Sequence, residues 1–252
     1  MFRKVLFNGG AVCGLVWHIS TVRFMMRLRR RRSVAFDWPS LRVYGISAGA
    51  AAALLWMCDV PPANYKSLFY SLIAESQTAA RYGDHSSITR IQLAMLDYVR
   101  SHYHDRLVRI VRSRRLYVGI SSARDGFVFS NGYTTVDELL HLVMCSATIP
   151  LVCTYHGLLR GASVCDGGVL FNSRARLAHR LHEADTLVVE PPIPLPLSLV
   201  VPAPLVFDWI GRWAELRVDT DVSTSLRARP GRDHRGDRKT KRRPFAPRAK
   251  VA

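Results

Sequence analysis

The chain has 252 residues, enough for one large domain or two small ones, and 48% of them are hydrophobic, enough to bury a sizeable core. Lys and Arg number 36 against 19 Asp and Glu, a net charge of +17 that favours polyanionic partners without distinguishing nucleic acid from anionic lipid. Five cysteines, an odd number with no C-x-x-C pair, argue against a disulfide framework and indicate reduced thiols in an intracellular protein.

The first predicted elements alternate between strand and helix. Val5 to Phe7 is a short apolar run ended by Asn8-Gly9-Gly10, which predicts a strand entering a glycine-rich turn. Helical periodicity follows from Gly14 to about Arg32, and Leu41 to Tyr44 predicts a second strand. From Ala48 onward the alanine-rich sequence strongly favours a helix.

The alternation continues through the rest of the domain. Helices are predicted over Tyr65–Ala80, Ser87–Val111, Arg174–Glu183 and Thr135–Cys145, the last with Thr135 as N-cap and Glu138 completing a capping box. Strands are predicted over Leu116–Ile120, Gly126–Phe129, Leu158–Leu159, Ser163–Cys165 and Leu187–Val189. This order indicates an α/β layered domain over residues 1–190 with a largely parallel central sheet.

Two segments of different composition follow the domain. Residues 191–226 are predicted to form a proline-rich arm with a short helix, which either packs on the domain, lines an acyl groove or enters a membrane interface. Residues 227–252 carry eleven basic residues against Asp233 and Asp237, a net +9, and too few large apolar side chains to offset the ordering entropy. We therefore predict a basic, disordered tail.

The segment Gly45–Gly49 has the spacing G-x-S-x-G between a predicted strand and a predicted helix. A nucleophilic serine on a sharp strand-to-helix turn needs these flanks and small neighbours, and the helix N-terminus directs its positive end at the reacting centre. The alternative is an ordinary packing serine. The order Ser47, Asp166, then His179 or His182 is compatible with a Ser-His-Asp triad, but only one predicted strand precedes the serine's own strand, fewer than that hydrolase class has.

Four short motifs follow one another between residues 9 and 172. They are "GGAVCG" at Gly9–Gly14, "GISAG" at Gly45–Gly49, "SATIP" at Ser146–Pro150 and "DGG" at Asp166–Gly168, with Asn172 after the last. In this order they resemble the oxyanion loop, the nucleophile elbow, the A-S-x-x-I/F-P segment and the D-G-G/A motif of the patatin-like phospholipases and acyl hydrolases. The combination is specific, although each motif alone is not.

The resemblance implies a patatin-like three-layer domain with a Ser–Asp catalytic dyad and no metal or cofactor. Ser47 would attack an ester carbonyl, Asp166 would accept its proton, and water would hydrolyse the acyl-enzyme. Main-chain amides of Gly9, Gly10 and Ala11 would hold the oxyanion, because a glycine-rich loop lets N–H groups approach a developing charge closely. The glycines of the elbow and the other motifs would be Gly14, Gly45, Gly49, Gly167 and Gly168.

Two positions depart from the family pattern. Ala11 stands where the family usually has a third glycine, and Cys13 stands where it usually has Arg or Lys. Alanine still offers its amide at negative φ, whereas the loss of the basic residue weakens the case for a phospholipid more than the case for hydrolysis. The resemblance thus predicts cleavage of glycerolipid acyl esters and leaves phospholipid and neutral lipid open.

Charge and composition also bear on location and partners. The N-terminal apolar stretch is interrupted by Asn8-Gly9-Gly10, unlike a signal peptide, so we expect a cytoplasmic, peripherally membrane-associated protein. Its basic clusters and tail would hold anionic lipid or, second, nucleic acid, and residues 239–243, "KTKRR", are an import signal, a phosphate-binding arm or a solubilising end. The alternatives are a soluble carboxylesterase and a non-catalytic basic binding protein on the same fold.

Overall fold

The structure is a computed structural model that describes residues 1–9, 36–61, 86–150 and 153–190, with isolated positions at 18, 21–23, 25, 26, 63 and 64. The predicted helix Tyr65–Ala80, most of the predicted helix Gly14–Arg32, the arm at 191–226 and the tail at 227–252 lie outside the described residues. Within the described part, seven strands and five α-helices confirm the α/β class.

The strands are β1 (Lys4–Phe7), β2 (Arg42–Ile46), β3 (Leu116–Ser122), β4 (Gly126–Ser130), β5 (Gly157–Leu159), β6 (Ala162–Asp166) and β7 (Thr186–Val189). The helices are α1 (Ala48–Met57), α2 (Ser87–His102), α3 (His104–Ser113), α4 (Val136–Ser146) and α5 (Ser173–Ala178). Among these helices none is long and apolar enough to cross a bilayer.

All seven strands belong to one mixed sheet. β7, β1, β2 and β3 pair in parallel in that order, whereas β4 and β6 pair antiparallel with β3, and β5 antiparallel with β6. The prediction of a mostly parallel sheet is therefore wrong for β4, β5 and β6. The reason is local: residues 123–125 join β3 to β4 and Arg160-Gly161 joins β5 to β6, and such short links permit only antiparallel hairpins.

β2 and β6 meet end to end along one edge of β3. Val118 and Gly119 pair with both β2 and β4, while Ile120 pairs with both β4 and β6. Since β4 runs along one edge of β3 without interruption, β2 and β6 share the other edge. β2 is parallel and β6 antiparallel to β3, so their carboxyl ends face each other, and this brings Ser47, which follows β2, to Asp166, which ends β6.

Apolar clusters cover both faces of the sheet. The larger one contains α1, whose residues Ala48 to Trp56 are all buried, and small side chains let this helix lie directly against β1 and β2. The other is built on Leu6, Tyr44 and Ile46, with Phe127, Phe129, Phe171 and Tyr117 packed around them. The sheet is thus the middle layer between these two clusters. The packing of α1 against β1 and β2 holds the turn at Ser47, which directly precedes the helix, in position.

Two predicted helices differ from the observed ones. The predicted helix Ser87–Val111 is divided into α2 and α3 at Tyr103, because the change of direction lets α3 bury Leu107 and Ile110. The helix predicted to reach Glu183 ends at Ala178, after which a left-handed residue, Arg180 (φ 52°), turns the chain so that Leu181 is buried under the sheet.

Candidate active site

Ser47 occupies a strained backbone conformation between β2 and α1. Its φ of 56° and ψ of −131° lie in a region that glycine adopts easily and other residues reach at a cost of about 1–3 kcal/mol. The neighbouring structure holds it there, since the Ser47 amide donates to Ser146 Oγ at 3.0 Å and the Ser47 carbonyl accepts from the Ala50 amide at 2.9 Å. Such strain is typical of a side chain that must project from a tight turn.

The Ser47 hydroxyl donates a hydrogen bond to Asp166. Ser47 Oγ lies 2.6 Å from Asp166 Oδ2, and both residues are buried, at 6% and 4% exposure. The other carboxylate oxygen, Oδ1, accepts from the Gly168 amide at 2.7 Å, and the Asp166 amide donates to the Thr148 carbonyl at 2.8 Å. The carboxylate is therefore fixed in position with one oxygen directed at the serine.

Burial changes the acidity of this carboxyl group. Desolvation raises the pKa of Asp166 to about 6, while the hydrogen bonds from Ser47 and Gly168 favour the ionised form and limit the rise. A base with a pKa just below neutrality is ionised at pH 7 yet accepts a proton more readily than an ordinary aspartate. The pair thus has the geometry and acidity of a hydroxyl beside its general base.

Three glycines bring the surrounding segments close to Ser47. A Cβ on Gly9 would stand 3.2 Å from Ser47 Cβ, so the end of the loop after β1 lies directly beside the serine. A Cβ on Gly49 would overlap the Phe7 carbonyl oxygen, and one on Gly167 would overlap the Gly119 carbonyl oxygen. These two positions require glycine because backbone occupies the space of a side chain.

Substituting Gly49 by alanine tests this packing. We expect Gly49→Ala to lower the free energy of unfolding by about 3 kcal/mol, because the new methyl group forces α1 away from β1. Gly161 provides the comparison, since its Cβ would meet nothing within 4 Å and only its φ of 78° opposes a side chain. Gly161→Ala should lower the free energy of unfolding, measured in urea, by only about 1 kcal/mol. Equal losses at both positions would contradict the close approach of α1 to β1.

The predicted oxyanion loop is described only at its first residue. Gly9 is beside Ser47, and its amide donates to the Asn8 side-chain oxygen at 2.9 Å. Asn8 is held in turn by a 2.6 Å hydrogen bond to Glu190. Gly10, Ala11, Cys13 and Gly14 lie outside the described residues. Among the amides assigned to the oxyanion, the structure therefore locates that of Gly9, and it is engaged with Asn8 in this conformation.

Two buried serines position the pair, a role that the sequence did not indicate for either of them. Ser146 Oγ donates to the Gly119 carbonyl at 2.6 Å while accepting from the Ser47 amide, so it ties the elbow to β3. Ser121 Oγ donates to the Gly167 carbonyl at 3.2 Å and accepts from the Leu170 amide at 3.1 Å, which fixes the turn after Asp166. Ser146 opens the SATIP motif, whereas Ser121 lay just beyond the strand predicted to end at Ile120.

His179 and His182, which follow Ser47 and Asp166 in an order compatible with a Ser-His-Asp triad, are not placed beside Ser47. His179 packs edge-on against the Phe129 ring, with centroids 4.8 Å apart, in the aromatic cluster on the face opposite α1. His182 is exposed. The structure thus brings Ser47 to Asp166 and not to either of these histidines. Among the described residues, no group of three His, Cys, Asp or Glu side chains is arranged to hold a metal ion.

Comparisons with known proteins add no assignment to this geometry. No protein-family model matches the chain. No curated protein matches it either. The site is therefore defined by its own residues: a buried serine hydroxyl, hydrogen-bonded to a buried aspartate, on a strained turn between a strand and the N-terminus of a helix.

Proposed function

We propose that this protein is a lipid acyl hydrolase of the patatin-like type, a serine hydrolase that works through a Ser47–Asp166 dyad. The observation that carries the proposal is the 2.6 Å hydrogen bond from Ser47 Oγ to Asp166 Oδ2 at a strained strand-to-helix turn. A packing serine needs neither the strain nor a buried ionisable partner. A basic binding module of the same fold would have no use for the two together.

In the proposed reaction, Ser47 Oγ attacks the ester carbonyl carbon while its proton passes to Asp166 Oδ2. Collapse of the tetrahedral intermediate breaks the bond to the alcohol oxygen, which takes the proton from Asp166 and leaves an acyl-Ser47 ester. A water molecule then gives its proton to Asp166 and attacks the acyl carbon. Collapse of this second intermediate breaks the bond between the acyl carbon and Ser47 Oγ, which takes the proton back from Asp166, and the fatty acid leaves. Each half-reaction returns Asp166 to the ionised form.

Stabilisation of the oxyanion is assigned to main-chain amides. The N-terminus of α1, which is the positive end of the helix dipole, directly follows Ser47. The loop after β1 lies against the serine at Gly9. The amides of Gly10 and Ala11 complete this proposal on the strength of the motif alone. That of Gly9 would have to exchange its bond with Asn8 Oδ1 for one with the substrate.

A lipid substrate is favoured by the surface beside the dyad. Val169 and Leu170 directly follow the D-G-G turn and are 54% and 42% exposed, so apolar side chains reach solvent next to Asp166. The net charge of +17 would attract the protein to anionic membranes, where each basic residue near the surface contributes roughly 1 kcal/mol. We propose a peripheral, membrane- or droplet-bound setting on these grounds.

The proposal is tested by measuring free fatty acid release from anionic phospholipid vesicles, a triacylglycerol emulsion and a soluble short-chain ester. We expect the wild type to release fatty acid from an aggregated lipid faster than from the soluble ester, and Ser47→Ala to release none. Faster release from the vesicles would favour a phospholipid substrate despite the cysteine at position 13. Faster release from the emulsion would favour a neutral lipid. Vesicle binding by a folded wild type without any release would instead favour the non-catalytic binding protein.

A further inference from the structure

A cavity of about 570 Å³ lies over the part of the sheet where β4, β3 and β6 pair. Its volume is in the range that holds small organic ligands. Neither Ser47 nor Asp166 lines it, although its wall includes Ile120, which pairs directly with Asp166 across the β3–β6 ladder. The cavity is thus a neighbour of the dyad and a separate site.

One part of the cavity is apolar. Its wall is formed by aliphatic side chains of the three strands and of the β5–β6 hairpin, namely Ile120, Val128, Leu159, Ala162 and Val164. Ile120 and Val164 are buried in the main core, whereas Val128, Leu159 and Ala162 are only partly buried and offer the accessible aliphatic surface. An apolar surface of this kind favours contact with a hydrocarbon group over contact with water.

The remaining wall combines the Phe129 ring with polar groups, and it carries more positive than negative charge. Arg124 and Arg160 contribute guanidinium groups, and Asp125 contributes the one carboxylate of the lining, which leaves a net charge of +1. Asp125 is matched to Arg124, with Oδ1 3.9 Å from Nε. Arg160 is the second cation of the lining.

Arg160 is placed to face a ligand. It sits at the left-handed first position of the β5–β6 turn (φ 50°), and its Nη2 lies 3.1 Å from where a Cβ on Gly132 would be, so it spans from this hairpin to the loop after β4. None of the ion pairs found among the described residues includes Arg160. Glu138, whose charge interacts with Arg160, is engaged with the Thr134 amide and hydroxyl at 2.6 and 2.7 Å.

We propose that this cavity binds a monoanionic amphiphile, a carboxylate on a hydrocarbon chain, with the carboxylate on Arg160 and the chain on the aliphatic wall. A guanidinium pairs with a carboxylate through two parallel hydrogen bonds, and the charge of Glu138, which interacts with Arg160, disfavours a second negative charge on the ligand. A dianionic phosphate would leave one charge unmatched. The inference goes beyond hydrolysis and does not depend on it, because binding here needs neither Ser47 nor Asp166.

The test is titration calorimetry of sodium decanoate, below its micelle concentration, into the folded Ser47→Ala protein, with 1-decanol and acetate as separate ligands. We expect one decanoate per chain, bound at least tenfold more tightly than either the neutral alcohol or the short anion. Arg160→Gln should weaken decanoate about tenfold, because a charge-assisted hydrogen-bonded pair is lost. Ala162→Phe, which fills the apolar part without changing charge, should abolish binding.

Arg112→Gln provides the matched control, since it removes an exposed arginine of α3 outside the cavity lining and should leave decanoate affinity unchanged. Thermal unfolding of each variant establishes that it is folded. Equal binding of decanol and decanoate, equal effects of Arg160→Gln and Arg112→Gln, or no binding at all would each overturn the proposal. Failure of lipid hydrolysis would not, because binding is measured on a protein that cannot turn over.

Discussion

Ser47→Ala should abolish fatty acid release from every ester substrate, a loss on the order of 10⁶-fold where chemistry limits the rate. The hydroxyl that alanine lacks is the one that donates to Asp166 Oδ2, and no other serine of the described residues is bonded to that carboxylate. Initial rates at saturating lipid, measured by free fatty acid titration, provide the check. If the variant kept a tenth of the wild-type rate, the proposed Ser47–Asp166 dyad would be ruled out.

Two further variants separate loss of the nucleophile from loss of the fold. Ser163→Ala removes an exposed serine of β6 and should keep full activity. Ser47→Gly should be as inactive as Ser47→Ala but more stable by about 1–2 kcal/mol, because glycine adopts a φ of 56° and ψ of −131° without strain. If the glycine and alanine variants unfold at the same denaturant concentration, the strain assigned to this turn is absent.

The sequence identified the parts of the site that depend on short-range rules. β1, β2 and the start of α1 agree with the prediction within one or two residues, because an apolar run, a small-residue turn and an alanine-rich stretch each have a local signal. The N-cap of α4 was also predicted correctly, since the Thr135 hydroxyl accepts from the Glu138 amide. Ser47 and Asp166 were paired only through the order of four motifs, and the structure brings them within hydrogen-bonding distance.

What the sequence could not supply depends on contacts between distant segments. That β6 runs antiparallel to β3 and meets β2 end to end follows from the register of Ile120 with Asp166, which no local pattern encodes. The roles of Ser121 and Ser146 arise for the same reason, because a buried serine is recognised only when its partners across the sheet are known. Strain at Ser47 is likewise a property of the assembled turn.

Asp166→Asn should reduce turnover by about 10⁴-fold or more, because asparagine keeps the shape of the carboxylate but cannot accept the serine proton. The wild-type rate should depend on the same group. With a pKa of about 6, Asp166 is ionised above that pH and protonated below it, so the rate should be flat from pH 7 to 8 and fall about tenfold by pH 5. A rate that stays constant down to pH 4.5 would contradict Asp166 as the base.

The same substitution should stabilise the protein at neutral pH. Raising the pKa from 3.8 to about 6 means that the folded state binds the proton more tightly than the unfolded state, so ionised Asp166 destabilises the fold by about 3 kcal/mol above pH 6. Asparagine removes this penalty. The gain in unfolding free energy should be largest at pH 7 to 8 and should disappear as the pH falls from 6 to 4, where wild-type Asp166 is protonated.

Asp125→Asn is the matched control, because the ion pair of this exposed turn aspartate among the described residues is a 3.9 Å contact with Arg124, and the variant should show neither effect. A loss of stability on Asp166→Asn that is the same at pH 5 and pH 8 would mean that the carboxylate holds the fold together. Loss of activity combined with a pH-dependent gain in stability is the result expected of a buried charge that is retained for chemistry. A group kept for structure would not produce it, because its removal would weaken the fold at every pH.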